Sequence, residues 1–235
     1  MTNEILAIDL SEHRAGLTRA EFRVLHEGGC RALGVRVSIA HSESGDLHAD
    51  ATAAQYVAWA RGFGWVAYGY CYLNPRVGMR YDADTDGDAQ GRFYAKIAAP
   101  LDLDGHYLDV EESGVKRAHI VYAVAAMRQG LRSERVAAVN LYSSLAVMKR
   151  FPDLPGIFDG GTWYANYGIA SAARSLDDWA TPPDREQYRD ARLHQFGGLQ
   201  YVRPNHRKRS VDGNVFFGTQ QQLLGYMTAD ATFLP

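Results

Sequence analysis

A chain of 235 residues with 46% hydrophobic and 22% charged residues can bury a proper core, and its length suits one α/β barrel or two small domains. Its net charge of −2 removes any global electrostatic argument for nucleic acid or a membrane surface as partner. Two cysteines, Cys30 and Cys71, are too few for a disulfide scaffold and lack zinc-ligand spacing, so both read as buried thiols. No run of about 20 apolar residues is present to span a bilayer.

Residues 1–9 lack the basic region and long apolar stretch of a signal peptide. Residues 5–10 read as a first strand. Residues 18–30 read as a helix, with Thr18 as N-cap and Glu21 completing a capping box. Residues 34–40 form a second strand and 51–62 a second helix ended by glycine. Residues 65–73 form a third strand with Tyr68, Tyr70 and Tyr72 on one face. A helix over 88–98, a strand over 106–111, a helix over 115–129 and a strand over 137–142 follow. Strand-like segments at 161–167, 192–196 and 214–217 come later, with less helix between them, and residues 219–227 can form a final helix. Strands alternating with helices predict βαβ units and a parallel sheet, either closed into a barrel or left open and doubly wound. No GxGxxG, GxxxxGK[ST] or GxSxG pattern occurs, so no cofactor is expected.

The most informative segment is Tyr107-Leu-Asp109-Val-Glu111. Asp109 and Glu111 lie two apart on a strand, so both point to one face. Like charges at that spacing, about 7 Å, raise at least one carboxyl pKa, which is what a general acid needs near neutral pH. The end of a parallel strand is also where α/β folds build their sites. A second reading, a solvated strand end, stays open. Asp9 closes the first strand on the same parity as Ile5 and Ala7. Asp212 opens a late strand within Ser210-Val-Asp-Gly-Asn214. Both aspartates have an alternative role as turn formers.

These residues together resemble glycoside hydrolase family 25, the Chalaropsis-type lysozymes of many phage endolysins and bacterial autolysins. The resemblance runs over about residues 5–218. Ala7-Ile-Asp9-Leu-Ser11 is similar to that family's opening Gly-Ile-Asp-Val-Ser, and Asp109-Val-Glu111 to its Asp-x-Glu strand. Asn140-Leu-Tyr142-Ser143, Trp163-Tyr-Ala-Asn-Tyr167, His194-Gln195-Phe196 and Val211-Asp212-Gly-Asn214 resemble its later motifs in order. His194 and Phe196 stand where the family usually has Trp and Tyr, Cys71 where it often has His, and Glu12-His13-Arg14 where an aromatic is expected after Ser11. The chain thus reads as a divergent member.

The resemblance implies an irregular TIM-like barrel, with about five βα units followed by less regular strands. It implies a catalytic barrel over residues 1–218, with 219–235 as a C-terminal helix and tail of the same domain. It implies an N-acetylmuramidase that cleaves the β-1,4 bond between N-acetylmuramic acid and N-acetylglucosamine in peptidoglycan. Glu111 is then the general acid, with Asp109, Asp9 and Asp212 completing the acidic floor. Tyr70, Tyr142, Trp163, Tyr167, Gln195 and Asn214 become substrate-contact candidates, the aromatic ones with a plain core role as the alternative. A non-catalytic glycan-binding barrel and a chitinase-like hydrolase are the competing readings. The implied partner is the glycan strand, acted on by a monomer. Export would depend on a holin-like partner.

Three other clusters have a structural and a functional reading. Asp82-Ala-Asp-Thr-Asp-Gly-Asp88 begins like a calcium loop, but its twelfth position is Phe93 rather than Glu, so an acidic solvated loop is expected. His41, Asp46, His48 and Asp50 are expected to form a helix-capping loop, with metal binding the lesser alternative. Arg203, His206, Arg207, Lys208 and Arg209 read as a solvated basic loop or as an attraction site for anionic wall polymer.

Overall fold

The computed structural model describes residues 4–12, 16–41, 45–75, 87–112, 114–136, 138–165, 174–175, 192–205 and 208–229. The strands are β1 (Glu4–Leu10), β2 (Cys30–Ala40), β3 (Leu47–Ala49), β4 (Val66–Tyr72), β5 (Gly105–Val110), β6 (Asn140–Ser144), β7 (Thr162–Ala165), β8 (Arg174–Ser175), β9 (Leu193–Val202) and β10 (Lys208–Phe217). The helices are α1 (Arg19–Glu27), α2 (Ala53–Gly62), α3 (Gly87–Ala98), α4 (Arg117–Ser133), α5 (Leu145–Arg150) and α6 (Gln220–Thr228).

Eight strands form a ring in the order β1-β10-β9-β7-β6-β5-β4-β2, and the parallel pairing of β2 with β1 closes it. Seven of these strands run parallel. β10 is antiparallel to both its neighbours, β9 and β1. β3 extends the outer edge of β2, and β8 pairs with β9. The expected TIM-like barrel is therefore the observed one, and the open-sheet alternative is excluded by the β1–β2 ladder.

Strand alternation divides the core in two. Ala7, Ala32, Tyr68, Tyr107, Trp163 and Phe216 fill the lumen. Leu6, Ile8, Leu33, Val35, Leu108 and Leu141 face outward, where they join helix residues such as Phe22, Tyr56, Val124 and Met127 in a second layer. One-residue parity thus decides whether a side chain enters the site or the scaffold.

Local signals behave as their chemistry requires. Thr18 Oγ1 accepts from Glu21 N, and Glu21 Oε2 accepts from Thr18 N, so the capping box forms at α1. Glu21 is buried and has further partners. Tyr201 donates to it at 2.9 Å, and Arg203 and Arg209 pair with it at 2.9 and 3.4 Å. These two members of the basic run therefore tie the β9–β10 hairpin to α1; His206 and Arg207 lie outside the described residues. At the end of α2 the left-handed residue is Gly64, with φ +72°, while Gly62 is still helical.

The expected final helix is α6, which opens with a capping box between Thr219 and Gln222. It seals the barrel at the end opposite the strand termini that carry the acids. Asn140 Nδ2 donates to Met227 O at 2.8 Å, and Tyr226 Oη both donates to Thr162 O and accepts from Thr162 N. Met227 also lies where a Cβ on Gly105 would sit, 2.7 Å from its own Cβ. Met227→Ala is expected to cost about 2–5 kcal/mol through lost burial and a residual cavity. Urea unfolding should show a lower midpoint with an unchanged slope.

Candidate active site

The strand ends opposite α6 bring together residues far apart in sequence. β1 ends with Asp9, and the antiparallel register places Asp212 directly across from it and Asn214 across from Ala7. Asp109 lies on β5 in register with Tyr72 of β4 and Tyr142 of β6. Glu111 follows the last residue of β5. Asp9 and Asp109 are buried, at 6% and 5% exposure, while Glu111 and Asp212 are half-buried at the mouth. The four expected carboxylates therefore share one end of one lumen.

Their partners differ, and so do their roles. Asp9 Oδ2 accepts from Gln195 Nε2 at 2.7 Å and from Asn214 Nδ2 at 2.9 Å. Asp109 Oδ1 is buried without a hydrogen-bond partner among the described residues. Burial, then the charges of Glu111 and Asp9, push the Asp109 carboxyl well above the usual carboxylate range, and Arg36 acts in the opposite direction. Burial also raises Glu111. A hydrogen bond donated by Tyr142 would oppose that rise, and the adjacent Glu112 charge adds to it. The pair therefore keeps a proton to higher pH than an exposed carboxylate would.

Trp163 is the hub of the lumen. Its ring centroid lies 4.5 Å from that of Tyr142, 5.3 Å from Tyr68, 5.5 Å from Tyr107 and 5.6 Å from Tyr70, each contact edge-on. Space for it comes from Gly34 on β2, where a Cβ would stand 2.7 Å from Tyr68 and 3.0 Å from Trp163. Trp163 Nε1 donates to Asn214 Oδ1 at 2.8 Å. Tyr142 Oη lies 2.6 Å from Gln195 Oε1 and 3.5 Å from Glu111 Oε1. Tyr142, Trp163, Gln195 and Asn214 are all buried, whereas Tyr70 is half-buried. Tyr167 lies outside the described residues.

Several site residues escaped the sequence reading. Arg36 is a buried cation on the lumen side of β2, in register with Tyr70. It pairs with Glu12 at 3.1 Å and Asp50 at 3.4 Å. An arginine on the inward parity of Ala32 and Gly34 was the signal. Tyr72 donates to Glu112 at 2.7 Å, placing a third carboxylate beside Asp109 and Glu111. Asp50 lies just ahead of α2 and accepts from Thr52 N, Thr52 Oγ1 and Glu12 N, while the N-cap of α2, Thr52, has no side-chain cap hydrogen bond. His48 Nε2 lies 2.9 Å from Glu12 Oε2. Among the described residues no group of three His, Cys, Asp or Glu side chains is placed to hold a metal. Residues 82–86 of the calcium-like loop lie outside the described residues, and Asp88 pairs with Arg92 on α3.

No family model and no curated protein sequence matches this chain. Solved structures do. A bacterial lysozyme from Streptomyces coelicolor superposes with a TM-score of 0.65 at 14% identity, covering 97% of this chain and 98% of that one. The catalytic domain of an endolysin from a Listeria monocytogenes bacteriophage gives 0.64 at 16% identity, with 97% and 98% covered. A family 25 glycosyl hydrolase from Bacillus anthracis gives 0.62 at 14% identity, with 95% and 93% covered. The chain thus has the barrel fold of the family 25 glycoside hydrolases, over nearly its whole length.

The buried acid pair sets a stability signature. A carboxyl whose pKa is raised in the folded state stabilises the fold most at low pH, and that contribution fades as pH rises towards its folded pKa. Asp109→Asn removes the ionisation. The variant is expected to be more stable than wild type at pH 7. The difference should shrink as pH falls and level off below about 4, the ordinary Asp pKa, where the wild-type carboxyl becomes protonated in both states. Melting temperatures across that range check it.

Proposed function

We propose that this protein is an N-acetylmuramidase that hydrolyses the β-1,4 bond between N-acetylmuramic acid and N-acetylglucosamine in peptidoglycan. The observation that carries this reading is the pair Asp109 and Glu111, with raised pKa values, at the strand ends of a barrel shared with lysozymes and endolysins. Glu111, half-buried and with its pKa raised by burial, is on this reading the general acid that protonates the leaving glycosidic oxygen as positive charge develops on the sugar.

The second carboxylate has a separate task. Asp109 Oδ1, buried and without a hydrogen-bond partner among the described residues, is an acceptor suited to an amide N–H. In the proposed route the substrate's own acetamido oxygen attacks the anomeric carbon while Asp109 orients that amide. Water then opens the resulting ring, and the anomeric configuration is retained. Asp9 and Asp212 complete the acidic floor. Tyr70 offers its partly exposed ring to a sugar face, and Tyr142, Trp163, Gln195 and Asn214 support the acids from below. The substrate partner is the glycan strand, met by a monomer at the bacterial wall, with a holin-like partner for release. No described helix is long and apolar enough to cross a membrane.

Reducing-end release from purified peptidoglycan tests the reading. Wild type is expected to liberate muramic-acid reducing ends, and Glu111→Gln to lose about 10²- to 10⁴-fold in kcat. Release of a different reducing sugar, or none from several wall types, would overturn it. An anomeric NMR time course should show β product first; α product first would replace the substrate-assisted route with direct attack by water.

A further inference from the structure

The polar side chains buried in the lumen form one connected chain, and its donor directions can be read from an end that has no choice. An indole N–H only donates. Trp163 Nε1 therefore requires the atom of Asn214 at 2.8 Å to be the amide oxygen. That turns the Asn214 nitrogen to Asp9 Oδ2, at 2.9 Å. The same oxygen, already accepting, lies 2.7 Å from Gln195 Nε2, which leaves Gln195 Oε1 facing the Tyr142 hydroxyl at 2.6 Å. An amide oxygen only accepts, so the single phenolic proton of Tyr142 points to Gln195. Tyr142 Oη is also 3.5 Å from Glu111 Oε1, and with its proton engaged it can meet Glu111 only as an acceptor.

We infer that Tyr142 and Gln195 are positioning residues for the acid: Trp163, Asn214 and Asp9 fix the direction of donation, so that Glu111 gives the hydrogen bond and Tyr142 receives it. The inference rests on the reading of Glu111 as the general acid. It gives the buried Gln195 a task beyond sugar contact. Gln195 turns a tyrosine, ordinarily a donor to carboxylates, into an acceptor that stabilises a protonated one. It also links Asp9 to Glu111 without the two touching, because each side chain between them passes on a direction rather than a charge.

Other groups act on Glu111 as well. On its own segment these are Asp109 and Glu112, the latter held by Tyr72 of β4. Around the lumen, Asp9 on β1 and Arg36 on β2 act on Asp109, and Asp212 on β10 acts on Tyr70 of β4. All of them remain in the variants that test the inference.

The test is a carboxyl-carbon NMR titration of the full chain with labelled glutamate, the Glu111 signal being assigned by its loss in Glu111→Gln. Tyr142→Phe removes the acceptor. Gln195→Met keeps the volume but frees the Tyr142 proton to turn towards Glu111. Both are expected to lower the Glu111 midpoint, by about 0.5 to 1 pH unit. The alkaline limb of kcat/KM against pH should move the same way. A midpoint that rises in Tyr142→Phe means Tyr142 was donating, and overturns the proposal; so does a midpoint that stays put in both variants. The titration needs no substrate. A wild type that cuts no peptidoglycan would therefore sink the muramidase reading while leaving this result legible.

Discussion

The contact on which the site depends is that of Trp163 with its surroundings. Its ring is nearly inaccessible and packs edge-on against four tyrosines, so the lower lumen is an aromatic layer. Its one polar atom faces the opposite way and orients Asn214. Below the indole the barrel is apolar core. Above it, side chains are fixed by hydrogen bonds whose directions leave little freedom. Gly34 makes the arrangement sterically possible, because a side chain there would collide with Tyr68 and Trp163 at once.

Closure of the ring supplies the rest. Eight strands contribute inward side chains to one lumen, so residues as distant in sequence as Asp9 and Asn214 reach hydrogen-bond contact. The reversed strand β10 matters here. Because it runs against β1, its early residues, Asp212 and Asn214, arrive at the end of the barrel where β1 and β5 finish. A parallel strand in that place would bring its later residues, Phe216 and Phe217, to the mouth instead. The reversal also lets β9 and β10 form a long hairpin, which Glu21 clamps to α1 through Tyr201, Arg203 and Arg209.

What the sequence discloses follows from the range of the forces involved. Period-two alternation is local, so the shared face of Asp109 and Glu111, and the tyrosine face of β4, are legible from spacing alone. Capping boxes are local too: the one read at Thr18 forms, and the structure adds a second at Thr219 that the sequence reading does not name. The hairpin was under-read, because Gly197, Gly198 and Gly213 interrupt its apolar pattern and charged residues line its turn; its ten-residue strands are held by pairing with each other. Closure is non-local and could not be decided before the β1–β2 ladder was seen. Arg36 carried a signal that went unused, a cation inside a strand with no polar alternation. Its partners, Glu12 and Asp50, lie in separate loops, and no spacing rule connects them.

Arg36 also raises the question of why a buried guanidinium within electrostatic reach of Asp109 does not simply neutralise it. The structure answers with two carboxylates. Glu12 and Asp50 both engage Nη2, and Asp50 is itself ordered by the amides at the start of α2. An arginine held in that fork has its Nη2 committed to two carboxylates other than Asp109. Had it been free to form a direct pair, Asp109 would ionise at lower pH, and its Oδ1, which has no hydrogen-bond partner among the described residues, would be occupied. The acidic residues of the mouth are thus of two kinds. Among the described residues, Glu12 and Asp50 hold a cation, and Asp109 and Glu111 form no ion pair. That division leaves the Asp109–Glu111 pair with raised pKa values while Glu12 and Asp50 are matched by a cation.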